Sequence, residues 1–255
     1  MTTTPKGRLY LVPAPLDFGC DSQAALQDVM PLGTIQIDAT LSCWICENAK
    51  STRAYLKRVG EVQALSHAVQ QQHIQELPRE VHKKGDHGGN FDARPLLKAA
   101  LEGQDIGLVS EAGMPAIADP GSSVVRAAHD LGLQVLPLSG PMSLMLALAA
   151  SGLNGQNFAF VGYLPQDAGE RSQRIRELES LALKTGQTQI FIETPYRNTA
   201  LLQALMQTLQ GNTRLALSCG LSLPMQWSHS ATVSTWKRDK PAAPLVLPTV
   251  FCIGR

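Results

Sequence analysis

The chain has 255 residues, of which 44% are hydrophobic and 17% charged, and a formal net charge of +1. That length supports one large or two modest domains with real cores. The near-neutral balance excludes a global field for nucleic acid or a membrane surface, so any phosphate contact needs a local cluster of Lys and Arg.

The opening MTTTPKGR leads into an apolar run without a cleavable leader, so no secretory signal is expected. Leu9 to Val12 reads as a short strand that stops at Pro13-Ala-Pro15. Thr34 to Asp38 reads as a second strand with Ile35 and Ile37 inward. Cys43-Trp-Ile-Cys46 has redox spacing, but no second ligand pair suits zinc, and no metal site is expected. Five thinly spread cysteines argue against a disulfide framework and for a reducing cytoplasm. Glu47 to Val59 reads as a helix carrying Lys50, Arg53, Lys57 and Arg58. His82 to Asp92, with Gly85, Gly88 and Gly89, reads as a mobile surface loop.

Ile106 to Val109 is a buried strand, and Asp119-Pro120-Gly121 opens the next helix, with Asp119 as its expected cap. Val124, Val125, Ala128 and Leu131 share one face of that helix. Gln134 to Leu138 is another strand. No charge occurs between Asp130 and Asp167, but Pro137, Gly140, Pro141, Gly152 and Gly155 interrupt the stretch. It is too broken for a membrane span and reads instead as strand, turn and a buried helix from Pro141 to Ser151.

Phe158 to Tyr163 and Gln189 to Ile192 read as strands around a charged amphipathic helix, Glu170 to Leu183. Thr194-Pro195 opens a helix with Leu201, Leu202, Leu205 and Leu209 as its buried stripe and Gly211 at its C-terminal cap. Arg214 to Ser218, Ala231 to Thr235 and Thr249 to Ile253 read as later strands. The alternation predicts the α/β class. Two α/β domains are expected, residues 1–138 and 139–255.

The strongest chemical signal is LVSEAGMPAIADPG, Leu108 to Gly121. A buried strand ends at Ser110, a small-residue turn follows, and a helix begins. In open α/β sheets ligands bind beyond the carboxyl ends of the strands, and Gly113 lets backbone approach a ligand closely. A tight connection without a ligand has the same spacing. Nothing matches a P-loop. The Gly85 to Gly89 stretch neither follows a strand nor opens a helix, so it is no dinucleotide fingerprint. A neutral, small-residue pocket suits a ligand without phosphates, of which S-adenosylmethionine is one.

LYLVPAP, VSEAGMPAIADPG, PLSGPMSLMLALAASGL, FVGYLP and FIETPYR follow one another in an order that resembles the tetrapyrrole methylase superfamily. Within it the likeness is greatest to members that methylate a cytidine ribose 2′-hydroxyl of small-subunit ribosomal RNA. The resemblance implies two α/β domains with S-adenosylmethionine in the cleft between them, and a homodimer acting on rRNA or the ribosomal subunit, with no membrane. It implies a cofactor wall of Pro15, Leu16, Ala112, Gly113, Met114, Ile117, Met142, Ser143, Glu193 and Gly220. Those members carry a pattern like ATPIGNL where this chain reads PAPLDFG, and AEDTR where it reads CENAKSTR.

A ribose hydroxyl is a poor nucleophile without a base or a cation. Glu47 and His67 are the candidate bases and Arg53 the candidate phosphate or oxyanion partner. A solvated helical face would use Glu47 and Arg53 equally well. Three readings stand at this point: an rRNA ribose 2′-O-methylase, a small-molecule methylase of tetrapyrrole type, and a non-catalytic S-adenosylmethionine-binding paralogue.

Overall fold

A computed structural model describes residues 5–84, 86–89 and 91–255. The chain divides into two compact units, one built from the residues up to Gly19 with Gln23–Met142, the other from Cys20–Ser22 with Ser143–Arg255.

The first unit runs β1 (Arg8–Val12), α1 (Leu26–Val29), α2 (Leu32–Thr40), β2 (Cys43–Cys46), α3 (Ala49–Val62), β3 (His73–Glu76), α4 (Arg79–Lys84), α5 (Lys98–Leu101), β4 (Ile106–Val109), α6 (Ser122–Asp130) and β5 (Gln134–Pro137). Its sheet has the order β3-β2-β4-β1-β5, all parallel. Parallel strands are covered on both faces, which is why they read as continuous apolar runs. Tyr10, Val12, Trp44 and Cys46 pack on one side with Ile35, Leu56 and Val59. Leu9, Cys43, Ile45, Ile106 and Leu108 pack on the other with Leu97, Val124 and Ala128. Cys43 and Cys46, three apart on one strand, therefore lie in opposite cores, and the C-x-x-C spacing brings no two sulfurs together.

Several local expectations change. Thr34 to Asp38 is helix, not strand: Thr34, Ile35, Asp38 and Ala39 are its buried residues, a helical spacing that alternation at Ile35 and Ile37 could not distinguish. Glu47 precedes α3, whose cap is Asn48; the Asn48 Oδ1 accepts from the main-chain N–H of Lys50 and Ser51. His82 to Lys84 close α4 rather than lying in a loop; Gly85 and Asn90 are outside the described residues. Asp119 does not cap α6. The Asp86 carboxylate does, accepting from the main-chain N–H of Gly121 and Ser123 and from both serine hydroxyls. Those bonds hold Asp86 below the usual carboxylate range, although burial is the largest single influence and opposes them.

Beneath α3, the Tyr55 hydroxyl donates to Asp38 Oδ2, while Asp38 Oδ1 is buried without a partner. Burial pushes the Asp38 carboxyl up to about 7, against the Tyr55 bond. A carboxyl raised in the folded state keeps its proton to about pH 7 there, but only to about pH 4 when unfolded. Its contribution is therefore present at low pH and lost as pH rises through that window. Asp38→Asn keeps an acceptor for Tyr55 without the titration. The stability difference between wild type and this variant should shift in the variant's favour by on the order of a few kcal/mol between pH 4 and 7. Denaturant melts at each pH measure it, and a constant difference would contradict the assignment.

The second unit runs α7 (Ser143–Ser151), β6 (Phe158–Tyr163), α8 (Ala168–Thr185), β7 (Thr188–Glu193), α9 (Asn198–Thr208), β8 (Arg214–Cys219), β9 (Trp227–Thr232), α10 (Val233–Asp239) and β10 (Thr249–Gly254). Its sheet order is β6-β7-β10-β8-β9, with only the β6–β7 pair parallel. Phe191 and Phe251 stack at 5.8 Å in a core closed by Ile175, Leu201, Leu205 and Trp236. Ala231 to Thr235 is not a strand throughout: β9 ends at Thr232, whose side chain accepts from the Thr235 N–H and starts α10. The α9 cap is Leu209, not Gly211. Gly211 instead meets α10, where a Cβ would sit 2.4 Å from Ser234 Oγ.

Candidate active site

β1 and β4 are neighbours, and the chain leaves them toward opposite sides of the sheet, to β2 and to β5. Such a switch point opens a crevice at the carboxyl edge. Three connections meet there. Ala14 and Gly113 exchange paired main-chain bonds, each N–H donating at 2.9 Å to the other's carbonyl. A Cβ at Gly113 would lie 3.4 Å from Leu16 Cδ2 and 3.8 Å from the Pro141 carbonyl. A Cβ at Gly140 would lie 2.2 Å from Pro13 Cγ, so only glycine lets these loops touch. The Thr34 hydroxyl ties α2 to the same place by donating to the Ser139 carbonyl at 2.7 Å.

The loop from Gly113 to Gly121 is strained. Gly113, Ala116, Ala118 and Gly121 all have positive φ, at 72°, 64°, 65° and 133°. Two alanines in the left-handed region cost about 1–2 kcal/mol each. Strain of this kind concentrates at ligand sites, where the surrounding fold holds it in place. Ile117, between the two alanines, is left 39% exposed.

Beside these loops, also at the carboxyl edge, lies a cavity of about 410 Å³. Its lining includes Pro15, Asp17, Phe18, Asn48, Lys50, Ala54, Arg58, Ser110 and Glu111. Arg58 is committed inside the wall: its guanidinium makes two 3.0 Å bonds to the Asp17 carboxylate and one to the Ala24 carbonyl. It is thus removed from the basic helix face, where Lys50, Arg53 and Lys57 remain exposed.

Three carboxyl groups interact here, of which Glu111 lines the cavity. Glu47 follows β2, Glu111 follows β4, and Asp119 lies in the strained loop. Burial first, then the Asp119 and Glu111 charges, push Glu47 up to about 8, against a hydrogen bond from the Glu111 main chain. Glu47 Oε1 is buried with no partner. Asp119 is raised to about 6 by burial and then by Glu111. Glu111 faces the cavity and accepts from the Ser51 hydroxyl at 3.4 Å. A carboxyl raised as Glu47 is exchanges its proton near neutral pH, as acid–base catalysis requires.

Of the residues expected from the sequence, Pro15, Leu16, Ala112, Gly113, Met114, Ile117 and Met142 lie on the three converging loops. Ser143, Glu193 and Gly220 belong to the second unit. Thr249 on β10 pairs with Glu193 on β7 and with Cys219 on β8, so Glu193 and Gly220 flank the start of β10. Glu193 is buried and paired with Arg197 at 2.9 Å. Ser143 begins α7, which packs on β8, β9 and β10. Glu47, Arg53 and His67 are not joined by any hydrogen bond or ion pair among the described residues. Arg53 is exposed on α3, and His67 is exposed beyond it, with its carbonyl accepting from Gln72 Nε2. Sequence reasoning missed Ser110, Glu111 and Asp119 as chemistry. Their signal was present in SEAGMPAIAD, polar groups placed at a strand's carboxyl end.

No group of three or more His, Cys, Asp or Glu among the described residues has metal-binding geometry. No described helix is long and apolar enough to cross a membrane.

A parallel sheet with glycine-linked loops and carboxyl groups at its carboxyl edge defines an α/β protein with a crevice at its switch point. The chain belongs to the tetrapyrrole (corrin/porphyrin) methylases, whose family model matches residues 45–236. A ribosomal RNA small subunit methyltransferase I from Mesorhizobium japonicum is 31% identical over 248 residues, 96% of this chain and 74% of that protein. Among solved structures, the methyltransferase CobJ superposes with a TM-score of 0.57 at 17% identity, covering 98% of this chain and 94% of that one. A uroporphyrin-III C-methyl transferase from Thermus thermophilus complexed with S-adenyl homocysteine gives 0.50 at 14% identity, with 98% of each chain covered. At those identities the likeness concerns the fold.

Proposed function

We propose that this chain is an S-adenosylmethionine-dependent methyltransferase acting on a ribose 2′-hydroxyl of small-subunit ribosomal RNA. The observation that carries this reading is the buried, raised Glu47 carboxyl near Glu111 at the carboxyl edge, in a chain related over nearly its whole length to a ribosomal RNA methyltransferase. The neutral backbone cradle at Gly113, which a Cβ would begin to fill, fits a donor without phosphates. Pro15, Leu16, Ala112, Gly113, Met114, Ile117 and Met142 would hold it from the first unit, and Ser143, Glu193 and Gly220 from the second. The S-adenyl homocysteine held by the Thermus structure supports that choice.

The sulfonium supplies a methyl group already activated for transfer. The protein's remaining tasks are alignment and proton removal. Glu111 faces the acceptor, and Glu47 takes the hydroxyl proton as the oxygen becomes alkylated. The exposed cations of α3 hold the RNA backbone. The same reading carries a cytoplasmic homodimer, supported by the family resemblance and, for the compartment, by the five thinly spread cysteines.

Small ribosomal subunits from a strain lacking the gene, incubated with the protein and methyl-labelled S-adenosylmethionine, should gain label in the ribose of one nucleotide. Unlabelled RNA would overturn the proposal. Label recovered in a porphyrinoid would establish the tetrapyrrole reading instead, and tight cofactor binding without turnover the non-catalytic one.

A further inference from the structure

The cavity of about 410 Å³ is a second site beside the cofactor wall. Of the ten residues expected to hold the cofactor, only Pro15 lines it. Its volume falls within the about 300–1,000 Å³ typical of small-ligand sites. Its lining is mixed: the Phe18 ring, 47% exposed, the Lys50 ammonium, the Glu111 carboxylate and the Ser110 hydroxyl. Ser110 is the telling residue. It is only 6% exposed, and its Oγ has no hydrogen-bond partner. A buried orphan hydroxyl costs stability unless something else satisfies it.

Outside the cavity, Lys50, Arg53 and Lys57 form an exposed stripe along α3 at spacings of three and four residues, on one helix face. No ion pair among the described residues occupies any of the three. Lys50 and Ala54 of the same face also line the cavity, so the stripe leads to its mouth.

We propose that this cavity receives one unstacked nucleotide of single-stranded RNA, with the α3 stripe gripping the flanking phosphates. This rests on the RNA reading above and deepens it by naming where the acceptor sits. The base stacks on Phe18, an arrangement single-stranded RNA sites use widely. The Ser110 hydroxyl gains its missing partner from the nucleoside. Seating the base in the cavity brings the attached ribose toward Glu111, which lines the same cavity.

The test uses the full chain and an eleven-nucleotide single-stranded RNA with a 5′-fluorescein and a central 2-aminopurine. Fluorescein anisotropy reads affinity, and 2-aminopurine brightness reads unstacking. Wild type should bind and brighten. Lys50→Gln with Lys57→Gln should weaken binding about tenfold and reduce the salt slope by about 1.4, the value for two single-strand phosphates. The charge-matched control, Lys184→Gln with Lys237→Gln in the second unit, should change neither. Ala54→Trp, at an exposed helical position, should keep affinity within about threefold but abolish brightening. Ser110→Ala should reduce brightening at least threefold while its melting temperature holds or rises, which a structural serine would not do.

Brightening that survives Ala54→Trp, an unaltered salt slope in the double variant, or no brightening in wild type would each overturn the proposal. Binding and brightening do not depend on methyl transfer, so an RNA-bound protein that leaves rRNA unlabelled would sink the proposed reaction and spare this site.

Discussion

Glu47→Gln is expected to lower methyl transfer by about 10²–10⁴-fold, the usual worth of a positioned general base, while making the folded protein more stable at alkaline pH. The two effects have one cause. Burial beside Asp119 and Glu111 raises Glu47 to about 8. The base works when Glu47 is ionised, so the wild-type rate should climb with pH, inflect near 8 and level off above it. Stability runs the other way. A carboxyl raised in the folded state contributes stability that is lost as pH rises from its ordinary value, about 4.3, through about 8. Glutamine keeps the shape, remains neutral and escapes that loss. Rate and melting temperature from pH 5.5 to 9 measure both effects. A variant that loses stability along with activity, or keeps the inflection near pH 8, would show that Glu47 only supports the fold. Glu111→Gln should move the inflection to lower pH, since the Glu111 charge helps to raise Glu47.

Gly113→Trp is expected to weaken S-adenosylmethionine binding more than 100-fold by calorimetry. Two contributions must be separated. The backbone there has φ of 72°, and any side chain in that region costs about 1–2 kcal/mol of strain. Gly113→Ala carries the same strain but adds only a Cβ, which meets Leu16 and the Pro141 carbonyl at ordinary contact distances. Alanine should therefore cost stability and at most about tenfold in affinity, the order of magnitude of that strain. Tryptophan adds bulk over the meeting point of three loops. Near-wild-type affinity in a folded Gly113→Trp protein would place the cofactor elsewhere.

The sequence exposed the strand, turn and helix expected to hold the cofactor far better than the carboxyl groups nearby. Leu108 to Gly121 reads as strand, turn and helix because a four-residue apolar run, clustered small residues and a Pro-Gly pair each act within a few positions. The structure has β4, the strained loop and α6 in those places. The carboxyl groups are assembled differently. Glu47, Glu111 and Asp119 come from separate segments, and nothing in the order CENAK or SEAG discloses that their charges interact. Lys50, Arg53, Lys57 and Arg58 look alike in one helix, yet Arg58 is neutralised by Asp17, 41 residues away.

What the sequence determined by itself was local: the apolar strands of the parallel sheet, the buried helix from Ser143 to Ser151, the amphipathic helix after Asp167, and the motif order that marks the family. Those signals arise from periodicity and turn chemistry, which operate over a few residues. Tertiary structure decided the rest. It made Thr34 to Asp38 a helix, because packing rather than alternation chose which side chains to bury. It capped α6 with Asp86, more than thirty residues upstream, leaving Asp119 to the carboxyl cluster. And it raised Glu47 into the range of a working base, since desolvation and like-charge repulsion depend on which distant segments the fold brings together.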